Sequence, residues 1–193
     1  MTDVFAITGT NGKTTASYML RNILCYSGRK TGLIGTITHQ IGEEEYSSVN
    51  TTPGKDLLRT YFDKMDSKHM DCCVIEASSH GLVQGRLDDT EISYGAFTNL
   101  TQDHLDYHKT MEEYFRCKCL LFERNLKGGA VNADDSWGQK ILKSYGKKDK
   151  LASVSMKDKH SDYFGRTAAS DITGQELEIY IKGEYAGAVR LSM

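Results

Sequence analysis

The chain has 193 residues, 39% hydrophobic and 26% charged, with a formal net charge of −2 at neutral pH. That length allows one core burying about 70% of the unfolded chain's surface, so a single domain is expected, and a near-neutral charge with no basic stripe argues against general nucleic-acid binding. No stretch approaches the ~20 apolar residues of a membrane span and no apolar leader opens the chain, so a cytoplasmic protein without a membrane partner is expected.

A short apolar run, Val4 to Ile7, leads into Thr8-Gly9-Thr10-Asn11-Gly12-Lys13-Thr14-Thr15. Glycines at 9 and 12 let the backbone turn tightly, so that successive N–H groups and a helix N-terminus face one anion. Lys13 can reach outer phosphates, and the Thr14 hydroxyl is placed to join the ligands of a magnesium ion. The general pattern G-x-x-x-x-G-K-[ST] wants glycine where this chain has Ile7, so the loop is a shortened form. Ala16, Met19, Leu20, Ile23 and Leu24 then recur at helical spacing, and Gly28 stops the helix. Thr31 to Thr38 reads as a strand, and Ile41 to Ser48 as a polar excursion with an acidic tip at Glu43 to Glu45. Asn50-Thr51-Thr52-Pro53 holds the only proline. Leu57, Leu58, Tyr61, Phe62 and Met65 follow at helical spacing, which puts Pro53 at the first helical position and the threonines in a loop suited to anionic or hydroxyl-rich groups.

Met70 to Ala77 is a continuous apolar run closed by Glu76, the pattern of a strand buried on both faces of a parallel sheet. A carboxylate at the carboxyl end of such a strand, in a phosphate-loop protein, commonly lies beside the nucleotide's magnesium; the alternative is a helix cap. Ser78 to Arg86 gathers hydrogen-bonding groups just past that strand end, where open parallel sheets bind ligands. Tyr94 to Asn99 reads as a strand leading into Thr101-Gln102-Asp103-His104-Leu105-Asp106-Tyr107-His108. A helix with a capping box, Thr110 and Glu113, comes next. Met111, Phe115 and Phe122 form its apolar stripe, with Tyr114 and Leu121 at the margins, and Lys118 falls on that stripe. Such a lysine can snorkel to water; partly buried, it has a lowered pKa, and its neutral amine could react with carbon dioxide to give a metal-binding carbamate.

Gly129 to Asn132 is read as a strand, followed by a helix through Leu142 and a strand at Leu151 to Val154. Lys147 to Lys150 is read as a solvated loop. Leu177, Ile179 and Ile181 alternate with polar residues before a turn at Lys182-Gly183-Glu184 and a return strand to Leu191, a β-hairpin. The fold class is therefore α/β: a phosphate-loop-type, mostly parallel sheet flanked by helices, with a C-terminal antiparallel hairpin region. The five cysteines suit neither chelation nor pairing, since Cys72 and Cys73 face opposite ways on a strand and Cys117 and Cys119 lie about 200° apart on a helix. All five are read as small buried apolar residues in a reducing compartment.

Assembled, these segments resemble the central, ATP-binding domain of the Mur ligases. The resemblance rests on GTNGKTT at 9 to 15, NTTP at 50 to 53, EASSHGLVQGR at 76 to 86, FTNLTQDHLDYH at 97 to 108 and the lysine in YFRCKCLLF at 114 to 122. It implies that Gly9, Thr10, Asn11, Gly12, Lys13, Thr14 and Thr15 bind the ATP triphosphate, that Thr14 and Glu76 hold one Mg2+, and that His104 with carbamylated Lys118 holds a second. It implies that Asn50, Thr51, Thr52, Ser78, Gln84 and Arg86 contact UDP-MurNAc-dipeptide, that Lys13, His104 and Lys118 are catalytic, and that an amino acid is the third small-molecule substrate. His108 is expected to make a structural hydrogen bond.

The implied activity is ATP-dependent amide-bond formation in peptidoglycan precursor synthesis. Relatives carry an N-terminal domain for the uridine end and a C-terminal domain that selects the amino acid. Residues 1–193 match the central domain alone, so an isolated chain is expected to bind nucleotide weakly and ligate nothing. Three other readings stay open. One is a folylpolyglutamate or poly-γ-glutamate ligase, against which NTTP and SSHGLVQGR speak. Another is a regulatory nucleotide-binding module; a guanine-reading N-K-x-D motif is lacking. The last is a zinc hydrolase built on Asp103, His104, Asp106 and His108.

Overall fold

A computed structural model describes residues 2–103, 108–146 and 150–192. The chain divides into two compact units, Met1–Gly128 and Gly129–Met193.

In the first unit the strands β1 (Asp3–Thr8), β2 (Thr31–Ile34), β3 (Thr38–Ile41), β4 (Glu44–Ser47), β5 (Cys72–Glu76) and β6 (Tyr94–Phe97) lie in the order β6-β1-β5-β2-β3-β4. Pairing is parallel from β6 to β2 and antiparallel from β2 through β4. Every residue of β5 is buried, as expected of a central parallel strand. Val74 packs with Ile7 and Leu33 in a core cluster against which α1 (Lys13–Tyr26) lays Ala16, Leu20 and Leu24. The sequence stripe of that helix was too wide: Met19 and Ile23 are 47% and 65% exposed. The sheet needs only one side of the helix.

Three features differ from expectation. Thr31 to Thr38 is not one strand, because β2 ends at Ile34 and the chain turns through residues 35–37 into β3. The acidic excursion is a strand too, β4, joined to β3 across Gly42 with φ +65°, and Glu44 there pairs with Lys68 at 2.7 Å. Pro53 precedes Gly54, the N-cap of α2 (Lys55–Ser67), instead of opening the helix. Leu58, Tyr61 and Met65 form the buried face of α2.

α3 (Ser79–Val83) follows β5 directly, capped by the Ser78 hydroxyl, which accepts from Gly81 N. In α4 (Met111–Cys119) the Thr110 hydroxyl accepts from Glu113 N at 3.1 Å. Replacing Thr110 with Ala should cost about 1 kcal/mol of unfolding free energy in a urea titration; no loss would mean that the cap is redundant. The buried face of α4 carries Tyr114, Lys118 and Cys119, so Tyr114 lies at its centre and not at its margin. Leu121, also expected at the margin, is fully buried just beyond the helix.

In the second unit β7 (Gly128–Asn132), β8 (Leu151–Ser155) and β9 (Tyr163–Asp171) run parallel, and β9, β10 (Gly174–Ile181) and β11 (Glu184–Ser192) form an antiparallel meander. The expected hairpin is β10 and β11, turned by Lys182 and Gly183, both at positive φ. β9 was missed; its Arg166-Thr167-Ala168-Ala169-Ser170 stretch has no apolar alternation. α5 (Ser136–Tyr145) is capped by Asp135, whose carboxylate accepts from Trp137 N and Gly138 N at 2.8 and 3.1 Å. The loop expected at Lys147 to Lys150 falls mostly outside the described residues. All five cysteines are free thiols, but Cys25 is exposed and Cys117 only half-buried, against the expectation that all are core residues.

Candidate active site

The carboxyl ends of β1, β5 and β2 open onto a cleft of about 580 Å³ in the first unit. Residues 9–15 form one wall. Asn50, Thr51, Glu76, Ser78, Arg86 and Lys118 also border it, so most residues singled out from the sequence converge there.

The glycine loop is held open from behind. Gly9 has φ +148°, and a Cβ there would fall 1.9 Å from Thr98 Oγ1. Thr10 N donates to Asn99 O at 2.8 Å, Asn11 N to Asn99 Oδ1 at 3.0 Å, and Thr98 Oγ1 to Asn11 O at 2.7 Å. Thr98 and Asn99 thus brace the loop from the end of β6. Gly12, with φ +80°, is the N-cap of α1 and supplies no side-chain cap. The first-turn N–H groups of α1 therefore lack an intrahelical acceptor and face the cleft with the positive end of the helix dipole. This is an anion site by construction.

Lys13 Nζ donates to Gly9 O at 3.0 Å and to Thr10 O at 2.8 Å. Burial lowers its pKa, opposed by the carboxylates of Glu76 and Asp103. Opposite, the fully buried Glu76 accepts from Thr14 Oγ1 at 2.9 Å, from Thr36 N at 3.0 Å and from Thr36 Oγ1 at 3.0 Å. Thr14 and Glu76 therefore present hard oxygen donors side by side, a set that fits Mg2+. Thr36 escaped the sequence reading because it was placed inside a strand.

Lys118 is 1% exposed, donates from Nζ to Gly9 O at 2.8 Å and lies 4.3 Å from the Tyr114 ring centroid. Burial first, and then the like charge of Lys13, pull its pKa down to about 7. As an amine it offers no oxygen to a metal. Tyr114, not singled out from the sequence, bonds the Thr10 hydroxyl at 3.3 Å and so ties α4 to the glycine loop. Its signal was its spacing of four residues from Lys118.

Thr52 and Gln84 are not among the residues lining the cleft. Thr52, fully buried, donates to Glu76 O at 2.8 Å and accepts from Ser78 N at 2.9 Å. Gln84 Oε1 accepts from Arg86 Nε at 3.0 Å and Nη2 at 2.6 Å, while Arg86 Nη1 reaches Thr52 O at 2.6 Å. The guanidinium is thereby aimed. His108 makes the expected structural hydrogen bond, its Nε2 2.9 Å from Ser79 Oγ. His104 and Asp106 lie outside the described residues. Among the described residues no group of three or more His, Cys, Asp or Glu gathers as a metal site.

Residues 7–192 match the Mur ligase middle domain. The chain is 41% identical over 180 residues to a Clostridium acetobutylicum protein named UDP-N-acetylmuramoyl-L-alanyl-D-glutamate--2,6-diaminopimelate ligase 1, covering 93% of this chain and 35% of that protein. A ligase of the same name, without the numeral, from Bacillus velezensis is 42% identical over 175 residues, covering 91% of this chain and 33% of the relative. A solved UDP-N-acetylmuramoyl-L-alanyl-D-glutamate--2,6-diaminopimelate ligase superimposes with a TM-score of 0.83 at 30% identity, covering 97% of this chain and 39% of that structure. The chain thus spans about a third of the length of the curated relatives it matches, and it belongs to the Mur ligase middle domain family.

Proposed function

We propose that the chain is the ATP-binding part of an ADP-forming acid–amino-acid ligase of peptidoglycan precursor synthesis. The carboxylate of UDP-MurNAc-dipeptide becomes an acyl phosphate, which the amine of the third amino acid then attacks. One observation carries this reading: a glycine loop at a helix N-terminus, the Thr14 and Glu76 oxygen pair and a buried lysine meet in a single cleft.

In this reading residues 9–15 hold the triphosphate through backbone N–H groups, with Lys13 as the cation beside the terminal phosphoryl. Thr14 and Glu76 hold one Mg2+, and Lys118 with His104 the second. Bound there, the ions supply positive charge that offsets repulsion between the substrate carboxylate and the γ-phosphate. A carboxylate oxygen bonds to the γ-phosphorus as the bond to ADP breaks. The incoming amine then adds to the acyl carbon, loses a proton, and phosphate departs with the amide formed. Asn50, Thr51, Ser78 and Arg86 contact the dipeptide substrate; Thr52 and Gln84 act by holding Ser78 and Arg86 in place.

Lys118 enters as a carbamate. With a pKa of about 7, a large share of its amine is neutral at neutral pH, and its nitrogen can bond to carbon dioxide while one proton leaves to water. The product replaces a buried cation with anionic oxygen donors. A cytoplasmic setting follows, where ATP is supplied, and no described helix is long and apolar enough to cross a membrane.

The test is ADP and phosphate release by a full-length relative in which residues 1–193 replace the central domain, when UDP-MurNAc-L-Ala-D-Glu and candidate amines are added together. Release that needs both supports the reading. Release with a folate and glutamate instead would move the chain to a folylpolyglutamate-type ligase, and nucleotide binding without turnover on either set would make it a regulatory module. Lys118→Ala should abolish release; full activity would contradict the carbamate. Gly35→Ala supplies a second check on the Glu76 oxygens: the added Cβ would fall 2.4 Å from Glu76 Oε1, displacing a carboxylate fixed by three hydrogen bonds. Affinity for Mg·ATP should fall roughly tenfold, read by calorimetry, and wild-type affinity would show that the carboxylate is not needed.

A further inference from the structure

Two hydroxyls border the cleft with their hydrogens already committed to the protein, those of Ser78 and Thr51. The single hydroxyl hydrogen of Thr52 goes to the Glu76 backbone carbonyl at 2.8 Å, a group that can only accept. The 2.9 Å contact between Thr52 Oγ1 and Ser78 Oγ is therefore donated by Ser78. Ser78 Oγ also accepts from Gly81 N at 3.0 Å, and its remaining lone pair is left for a ligand.

Thr51 reaches the same state by another route. Thr36 Oγ1 gives its one hydrogen to the Glu76 carboxylate at 3.0 Å, which as an anion only accepts. The 3.0 Å contact between Thr36 Oγ1 and Thr51 Oγ1 is then donated by Thr51. Arg86 has the opposite polarity. Its Nε and Nη2 donate to Gln84 Oε1 and its Nη1 to Thr52 O, which leaves one N–H on each terminal nitrogen for the two oxygens of a carboxylate.

We infer that Thr36 and Thr52 are positioning residues, which fix Thr51 and Ser78 as hydrogen-bond acceptors, so that these two hydroxyls take the acid substrate by its peptide N–H groups and leave its carboxylate oxygens to Arg86. The peptide substrate rests on the proposed function; the direction of the two hydroxyls does not. A carboxylate oxygen set against either hydroxyl meets a lone pair, or costs a hydrogen bond inside the protein if the hydroxyl turns to donate.

The test has two arms. Neutron diffraction from crystals of the 193-residue chain grown in heavy water should place the Ser78 deuterium on Thr52 and the Thr51 deuterium on Thr36; either deuterium directed into the cleft overturns the inference. The second arm uses a full-length relative in which residues 1–193 replace the central domain. Calorimetry compares UDP-MurNAc-L-Ala-D-Glu with an analogue whose two peptide N–H groups are replaced by ester oxygens. The amide ligand should bind about a hundredfold more tightly, a factor of about ten for each lost hydrogen bond. That ratio should collapse when Thr51→Val and Ser78→Ala are combined, whereas a merely structural effect would weaken both ligands alike. Thr36→Val should lower the ratio and Thr36→Ser should keep it. Equal binding of amide and ester by the unsubstituted protein, or an undiminished ratio in the double variant, overturns the inference. Binding of neither ligand would sink the proposed function, and the neutron map would still decide the direction of the two hydroxyls.

Discussion

Replacing Lys118 with methionine is expected to stabilise the chain at pH 7 while removing the amine that the proposed carbamate needs. In the folded state the amine has a pKa of about 7 against an ordinary 10.5. Between those values the unfolded chain binds more protons than the folded one, so wild-type stability rises with pH across that window. Below pH 7 both states are protonated and the whole cost of burying the cation is present. Methionine removes that cost and fills a similar volume. Gly9 O is not left without a donor, since Lys13 Nζ also reaches it at 3.0 Å. The gain should be about 1–3 kcal/mol at pH 7 and below, fading towards pH 10.5, by analogy with other buried charges replaced by apolar side chains. Urea unfolding at pH 6, 8 and 10 in carbonate-free buffer reads it. A variant as pH-dependent as wild type would mean that Lys118 is not the buried cation described.

The second large effect concerns Lys13. Removing its ammonium by Lys13→Ala should weaken Mg·ATP binding by roughly 30- to 1,000-fold, the range for deleting one partner of a desolvated, hydrogen-bonded charge pair. Stability should change little, because the carbonyls of Gly9 and Thr10 border the open cleft. Gly9 O also keeps Lys118 Nζ at 2.8 Å. Calorimetric titration checks it: unchanged affinity would place the triphosphate elsewhere, and loss of fold would make Lys13 structural.

Much of this site was legible because phosphate binding leaves local marks. Glycines 9 and 12, the lysine after them and the carboxylate closing an apolar strand each state a requirement within a few residues. Lys118 was legible for a related reason: a charge on an apolar stripe is conspicuous. What stayed hidden depends on contacts remote in sequence. Thr36 reaches Glu76 across 40 positions, and Thr98 and Asn99 brace the glycine loop across nearly 90. Thr52 looked like a ligand contact since its hydroxyl sits in a loop, yet that hydroxyl serves the backbones of Glu76 and Ser78. Tyr114 was set at the margin of α4 because Met111 and Phe115 drew the stripe towards themselves, whereas the cleft side of the helix is buried by the glycine loop. β9 left no mark, since a strand with mostly exposed side chains has no apolar face to alternate.

In the proposed function, residues 9–15 gather positive charge around the terminal phosphoryl of ATP. A crystal structure of the chain soaked with ATP and Mg2+ tests this most directly. It should show the triphosphate against residues 9–15, with the Thr14 hydroxyl and the Glu76 carboxylate at the metal. Nucleotide bound anywhere else, with that loop empty, would contradict it.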